Sequence, residues 1–107
     1  MVDAINNSLE MKLDEKITTI KDFTISKIYP NPFNPHLNIQ LTNVKGRNVK
    51  IVVHDINGRL IENLYQGKVL SFDLNIKWSP KDIPSGLYLI SASSANHKKV
   101  QKVMHLK

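Results

Sequence analysis

The chain has 107 residues and no cysteine, which excludes disulfide staples, thiolate metal sites and a cysteine nucleophile. This length fits one domain burying roughly 60–70% of the surface its unfolded chain exposes, and no apolar run is long enough for a transmembrane helix. The net charge of +6 is uneven: residues 1–22 hold three lysines against five acids, and residues 23–107 hold twelve basic residues against four acids. A basic domain of this kind suits nucleic acid, an anionic glycolipid or an acidic partner, or merely presents a solvated charged surface.

Residues 1–22 differ in pattern from the rest. Asn7 followed by Glu10 resembles a capping box, and Leu9, Leu13, Ile17 and Ile20 share one helical face. The β-branched Thr18 and Thr19 oppose that helix, so the segment reads as a short helix or a disordered leader. Its acids and its lack of an apolar core region distinguish it from a signal peptide.

From Phe23 onward the pattern is β. Phe23–Ile28 reads as an edge strand. It enters Tyr29-Pro30-Asn31-Pro32-Phe33-Asn34-Pro35, which holds three of the five prolines. Proline fixes φ, lacks an N–H and biases the residue before it toward extended geometry, so this stretch reads as a rigid, extended connector pinned by Tyr29 and Phe33. Leu37–Thr42 alternates strictly, as a half-buried strand does. Val49–His54 follows with Val49, Ile51 and Val53 on one face. Asn57-Gly58 then signals a tight hairpin, because both residues tolerate positive φ, and Arg59–Leu64 is its return strand. Tyr65–Lys68 reads as a turn around Gly67. Leu70, Phe72, Leu74, Ile76 and Trp78 alternate with polar residues, which places Trp78 as a core anchor. Pro80 and Pro84 make a loop of 79–85. Gly86–Ala92 is apolar on both faces at its start, as a central strand is. In the last strand, Lys99–Leu106, the pattern sets Val100, Lys102, Met104 and Leu106 toward the core and Val103 away from it. Seven short strands with turn signals between them predict an all-β, seven-stranded antiparallel immunoglobulin-like β-sandwich over residues 23–107.

The chemistry of catalysis is poorly represented. No serine sits in a nucleophile elbow, and the four glycines are isolated rather than clustered in a phosphate loop. His54-Asp55 has the form of an orienting pair, but a strand-end histidine beside a turn-capping aspartate has the same spelling. His97 and His105 lack a third metal ligand at suitable spacing. Nucleic-acid binding needs aromatics interleaved with its basic residues, and the cluster Lys98, Lys99, Lys102 and Lys107 has none. Tyr29, Phe33 and Tyr65 are the aromatics available to a glycan, unless they pack on the core. No cofactor is expected.

The order of motifs is itself informative. Tyr29–Pro35 is followed by Val49-Lys50-Ile51-Val52-Val53-His54-Asp55-Ile56-Asn57-Gly58-Arg59, then Trp78, then Ser85-Gly86-Leu87-Tyr88-Leu89, and finally Val100–Lys107. This set resembles the C-terminal sorting domain of the type IX (Por) secretion system, type A, which ends exported proteins of Bacteroidetes and neighbouring phyla. The resemblance implies a non-enzymatic address label. It would carry a cargo through the periplasm to an outer-membrane translocon, after which a surface sortase removes the label and the cargo stays at the surface or is released. It also implies a cargo domain and a signal peptide upstream of this chain. By position, it assigns the sorting role to Gly58, Arg59, Gly86, Tyr88, Lys102 and Lys107. It assigns structural roles to Tyr29, Pro30, Asn31, Pro32, Phe33, Asn34, Pro35 and Trp78. A flagellar hook-cap-like or adhesin sandwich, or a small glycan-binding domain, is the alternative.

Overall fold

The computed structural model describes residues 22–107; the predicted helix or leader of residues 1–22 lies outside them except for Asp22. Seven strands follow in order: β1 (Thr24–Tyr29), β2 (Leu37–Thr42), β3 (Asn48–Asp55), β4 (Leu60–Lys68), β5 (Asp73–Trp78), β6 (Gly86–Ser94) and β7 (His97–His105). They form two antiparallel sheets, β1-β2-β5 and β4-β3-β6-β7. The chain crosses between sheets after β2, β4 and β5, which is immunoglobulin-like connectivity. The predicted sandwich is therefore the observed one, with β1 at an edge and β6 inside its sheet.

The core follows from the period of two. Leu37, Ile39 and Leu41 of β2 face Val49, Ile51 and Val53 of β3 and Ile90 and Ala92 of β6, all at most 1% exposed. Trp78 closes one end of this core and is 2% exposed.

Four local readings change. First, Tyr65–Lys68 is not a turn but the end of β4, and β5 begins only at Asp73. The reason lies in the partner strand. β2 ends at Thr42, opposite Asp73, so residues 70–72 have no strand to pair with. Val69 and Phe72 instead bond the 44–47 turn: Gly46 N donates to Val69 O (2.8 Å), Val69 N to Arg47 O (2.9 Å) and Val44 N to Phe72 O (3.1 Å). Leu70 and Phe72 are left exposed.

Second, the last strand is turned over. Val103 is buried and Val100 is 51% exposed. Ser94 pairs with His97 across a two-residue turn, and this register sets Val103 opposite the buried Tyr88. Residues directly opposite share a face, so Val103 and His105 point inward and Val100, Lys102 and Met104 outward. Third, only Gly58 has positive φ (86°) in the Asn57-Gly58 turn. Gly58 N donates to Asp55 O (3.0 Å), and the register shifts between Val53 and His54. The loop is thus a β-turn closed by a glycine bulge. Fourth, the stretch after Tyr29, which ends β1, is a series of bends over Pro30–Pro35 with a bridge at Phe33 rather than an extended connector. Its three X–Pro bonds are cis. Phe33 pins it to the core, whereas Tyr29 is 52% exposed on the outer face of the three-stranded sheet.

Candidate functional site

One end of the sandwich gathers three distant pieces of sequence. Phe33 makes a single parallel bridge to His105. Phe33 N donates to Met104 O (2.8 Å), and Leu106 N donates to Phe33 O (3.1 Å). The three prolines have no N–H to offer, so Phe33 supplies the one rung of pairing and the bends on either side end it. The Asn31 side chain adds what the prolines cannot: its Oδ1 accepts from Met104 N at 2.9 Å. The stretch thereby covers the free edge of β7 over its last turn of sequence, where an open edge would template a foreign strand.

Beneath this cover lies a ring cluster. Phe33 contacts Trp78 (centroids 5.4 Å) and His105 (4.9 Å). Tyr88 meets Trp78 edge-on at 6.1 Å and His105 at 6.4 Å. Trp78, Tyr88 and His105 each engage a hydrogen-bond partner, as burial favours. The Trp78 indole donates to Glu62 Oε1 at 2.9 Å. Tyr88 OH donates to Pro84 O at 2.7 Å, and His105 Nδ1 donates to the same carbonyl at 3.3 Å. Tyr88 stands at the start of β6 and reaches back four residues, which is the tyrosine corner of sandwich domains. Burial, and secondarily the Asp55 charge, raise its pKa above the ordinary 10.0, so the phenol stays a donor. Ser85 in the same loop accepts the Lys107 amide on its Oγ at 2.8 Å.

The β3–β4 turn completes the end. Asp55 Oδ1 accepts from the N–H groups of Asn57 and Arg59, both at 2.9 Å, and Oδ2 from Arg59 Nε at 3.2 Å. The Arg59 amide, ahead of its guanidinium, holds the Asp55 carboxyl below its usual range. This carboxylate is committed to the turn, so His54-Asp55 is not an orienting pair. Between this turn and loop 83–87 lies an open groove of about 200 Å3, lined by Asp55, Arg59, Ile83, Ser85, Gly86 and Tyr88 among others.

Of the residues assigned by resemblance, Gly58, Arg59, Gly86 and Tyr88 meet at this groove or the turn beside it, and Lys107 joins them through Ser85. Gly58 and Gly86 (φ 150°) both adopt backbone angles that side chains resist, although neither has an atom within 4 Å of a would-be Cβ. Arg59 is largely exposed and Tyr88 is buried. Lys102 stands apart, on the outer face of the four-stranded sheet opposite Leu89. The contacts of Glu62, Ser85 and His105 escaped the sequence reading, as did the bond to Met104 that gives Asn31 its expected structural role. Only the parity of Val103 could have drawn attention to His105; the other three act through contacts distant in sequence.

At the far end, His97 Nδ1 lies 3.1 Å and Lys99 Nζ 3.3 Å from Asp22 Oδ2, with Arg47 at 3.9 Å from Oδ1. Burial pushes the Asp22 pKa up, but the Lys99 and Phe23 N–H hydrogen bonds and the His97 charge outweigh it and bring it down. His97 and His105 thus occupy opposite ends of β7. Among the described residues, no three histidine or carboxylate side chains gather as metal ligands would. Phe33 is buried and Tyr65 donates its OH to Lys68 O (3.2 Å), which leaves Tyr29 as the exposed aromatic of the three.

Residues 27–106 match the family described as the secretion system C-terminal sorting domain. The chain belongs to that family. No curated protein and no solved structure matches it. The match runs from within β1 to Leu106 and so includes the end just described except for Lys107. This is a Por secretion-system sorting domain: a non-catalytic signal carried on a cargo protein, which engages the type IX secretion machinery and directs export to the cell surface or beyond.

Proposed function

We propose that this is a type A sorting domain, comprising residues 23–107, whose signal is the three-part end of the sandwich. An upstream signal peptide brings the cargo to the periplasm, the domain engages the outer-membrane translocon, and a surface sortase removes it. The observation that carries this reading is the joining of the last residues to two distant motifs, through the Phe33 bonds to Met104 and Leu106 and the Ser85 bond to Lys107. A signal made of a folded end differs from a linear tail, because its parts keep fixed distances.

The proposed roles differ by residue. Arg59 and Lys107 present cations at the edge of the groove. Gly58 and Gly86 give the two bordering loops their backbone shape. Tyr88 positions loop 83–86 through Pro84 O. Lys102 offers a separate cation on the adjoining sheet face. The test fuses the whole chain, and the chain lacking residues 1–22, behind a periplasmic reporter in a type IX-competent cell. Both fusions should bring the reporter to the surface, and Arg59→Glu combined with Lys107→Glu should retain it in the periplasm. Surface arrival undiminished by the double charge reversal would remove this end as the signal.

A further inference from the structure

The two outer faces of the sandwich differ in chemistry. On the three-stranded sheet the outward rows hold Asn38, Gln40, Thr42 and Asn75 with Lys27, Lys77 and Asp73, and Tyr29 is the one large ring among them. On the four-stranded sheet the outward rows are different. One row crosses all four strands as Leu60, His54, Leu89 and Lys102, and the next as Asn63, Val52, Ser91 and Val100. Leu87 pairs with Met104 beside the signal end, and Lys50, Lys68 and Lys98 lie toward the other. Among the described residues, this face carries four lysines and no carboxylate. Leu60 and Val100 are more than half exposed. The small Ser91 and Ser93 between larger neighbours leave a trough of about 280 Å3 bounded by Lys50, His54, Leu60 and Lys98.

We infer that this face is a docking surface for a protein of the secretion machinery that offers an apolar ridge flanked by carboxylates. The inference rests on the sorting-domain reading and adds which face binds and what chemistry it meets. Apolar side chains of the ridge fill the trough over Val52, Ser91 and Ser93 and run onto the neighbouring Val100, and its acids meet Lys50, Lys98 and Lys102. Charge selects this occupant over the others. A second copy of the chain laid face to face would oppose four lysines to four. A lipid surface favours protruding aromatic rings at the interface, whereas this face has no Trp, Tyr or Phe and is concave at its centre.

The size fits transient binding. Four strands at about 4.8 Å spacing and seven residues at about 3.3 Å rise cover on the order of 400 Å2, roughly half of one partner's share of a stable interface. A passenger that must be released from its carrier needs an interface of that kind. The apolar end of the face adjoins the groove beside Arg59, so one partner can contact both.

The test uses the whole chain behind a reporter in type IX-competent cells. Val100→Glu combined with Lys102→Glu places two carboxylates on the face at exposed positions. Gln40→Glu combined with Lys77→Glu makes a similar change on the other face. Circular dichroism and thermal unfolding of the purified chains check that each variant folds. The first pair should lower surface arrival by about tenfold or more, the effect of losing a hot spot, and the second should not. A photo-crosslinking residue at position 100 should capture an envelope protein, less so as salt rises, and one at position 40 should not. Normal export of a folded Val100→Glu, Lys102→Glu chain overturns the docking face while the sorting reading stands. Periplasmic retention of the unaltered fusion overturns the sorting reading and the face with it. Binding of the unaltered chain to phosphatidylglycerol vesicles, without any protein crosslink at position 100, assigns the face to lipid and overturns the protein partner.

Discussion

Truncating Phe33 to alanine tests whether the proline-rich stretch is part of the folded signal or an appendage. Phe33 is 1% exposed, and its ring lies against both Trp78 and His105. Removing a buried phenylalanine costs about 3–5 kcal/mol, the ring pairs included. A domain of this size has a total stability of roughly 4–13 kcal/mol, so Phe33→Ala removes a large part of it and lowers Tm by on the order of 12–30 °C. Urea unfolding followed by far-UV circular dichroism and by fluorescence of Trp78, the chain's one tryptophan, measures the loss directly. An unchanged m-value would show that the folded state keeps its extent. Tyr29→Ala is the control: it removes a ring from the same motif at a site 52% exposed, and should change stability by no more than about 0.5 kcal/mol. A loss under about 1 kcal/mol for Phe33→Ala, or equal losses for both, would refute the claim that Phe33 joins the first motif to the last.

Four further outcomes follow from the same end of the molecule. Glu62→Ala leaves the buried Trp78 N–H without its acceptor and should cost about 1–3 kcal/mol, with a shift in tryptophan emission; an unchanged spectrum and stability would deny that bond. Tyr88→Phe should cost about 1 kcal/mol through the lost bond to Pro84 O. Because the Tyr88 pKa is raised above 10.0 when folded, its contribution is full below pH 10 and is lost as pH rises through the folded value; Tyr88→Phe should therefore flatten stability above pH 10. For Asp55 the sign is opposite. Its pKa is held below 3.8, so its contribution is full above that value and disappears as pH falls through the folded one. Asp55→Asn should be less sensitive to acid over that window, seen as a smaller drop in Tm from pH 5 to pH 2. Gly58→Ala should cost roughly 1–2 kcal/mol from left-handed backbone alone, and Gly58→Asn less, as read from urea midpoints.

The class of fold is encoded in local pattern. The alternation in Leu37–Thr42 and Val49–His54, the Gly and Pro punctuation, and Trp78 closing its strand all report local rules of period and turn chemistry, and these survive in the structure. The family was legible too, because the order of motifs along the chain is a property of the chain alone. What pattern could not decide was the facing of the last strand. Val100, Met104 and Leu106 outvote Val103 in a count of apolar residues, yet the Ala95–Asn96 turn sets the register and turns them outward. A rule that apolar residues point inward fails on a face that is apolar for another reason.

Tertiary structure alone decided that Tyr29–Pro35 and the chain's final residues are neighbours. The bond from Asn31 to Met104 spans 73 positions of sequence, and no local preference encodes such a meeting. It follows from packing: Phe33 is buried where Trp78, Tyr88 and His105 leave room for a ring, and the prolines on either side limit the pairing to a single rung. The motif that names the family and the residues that end the chain are therefore one surface.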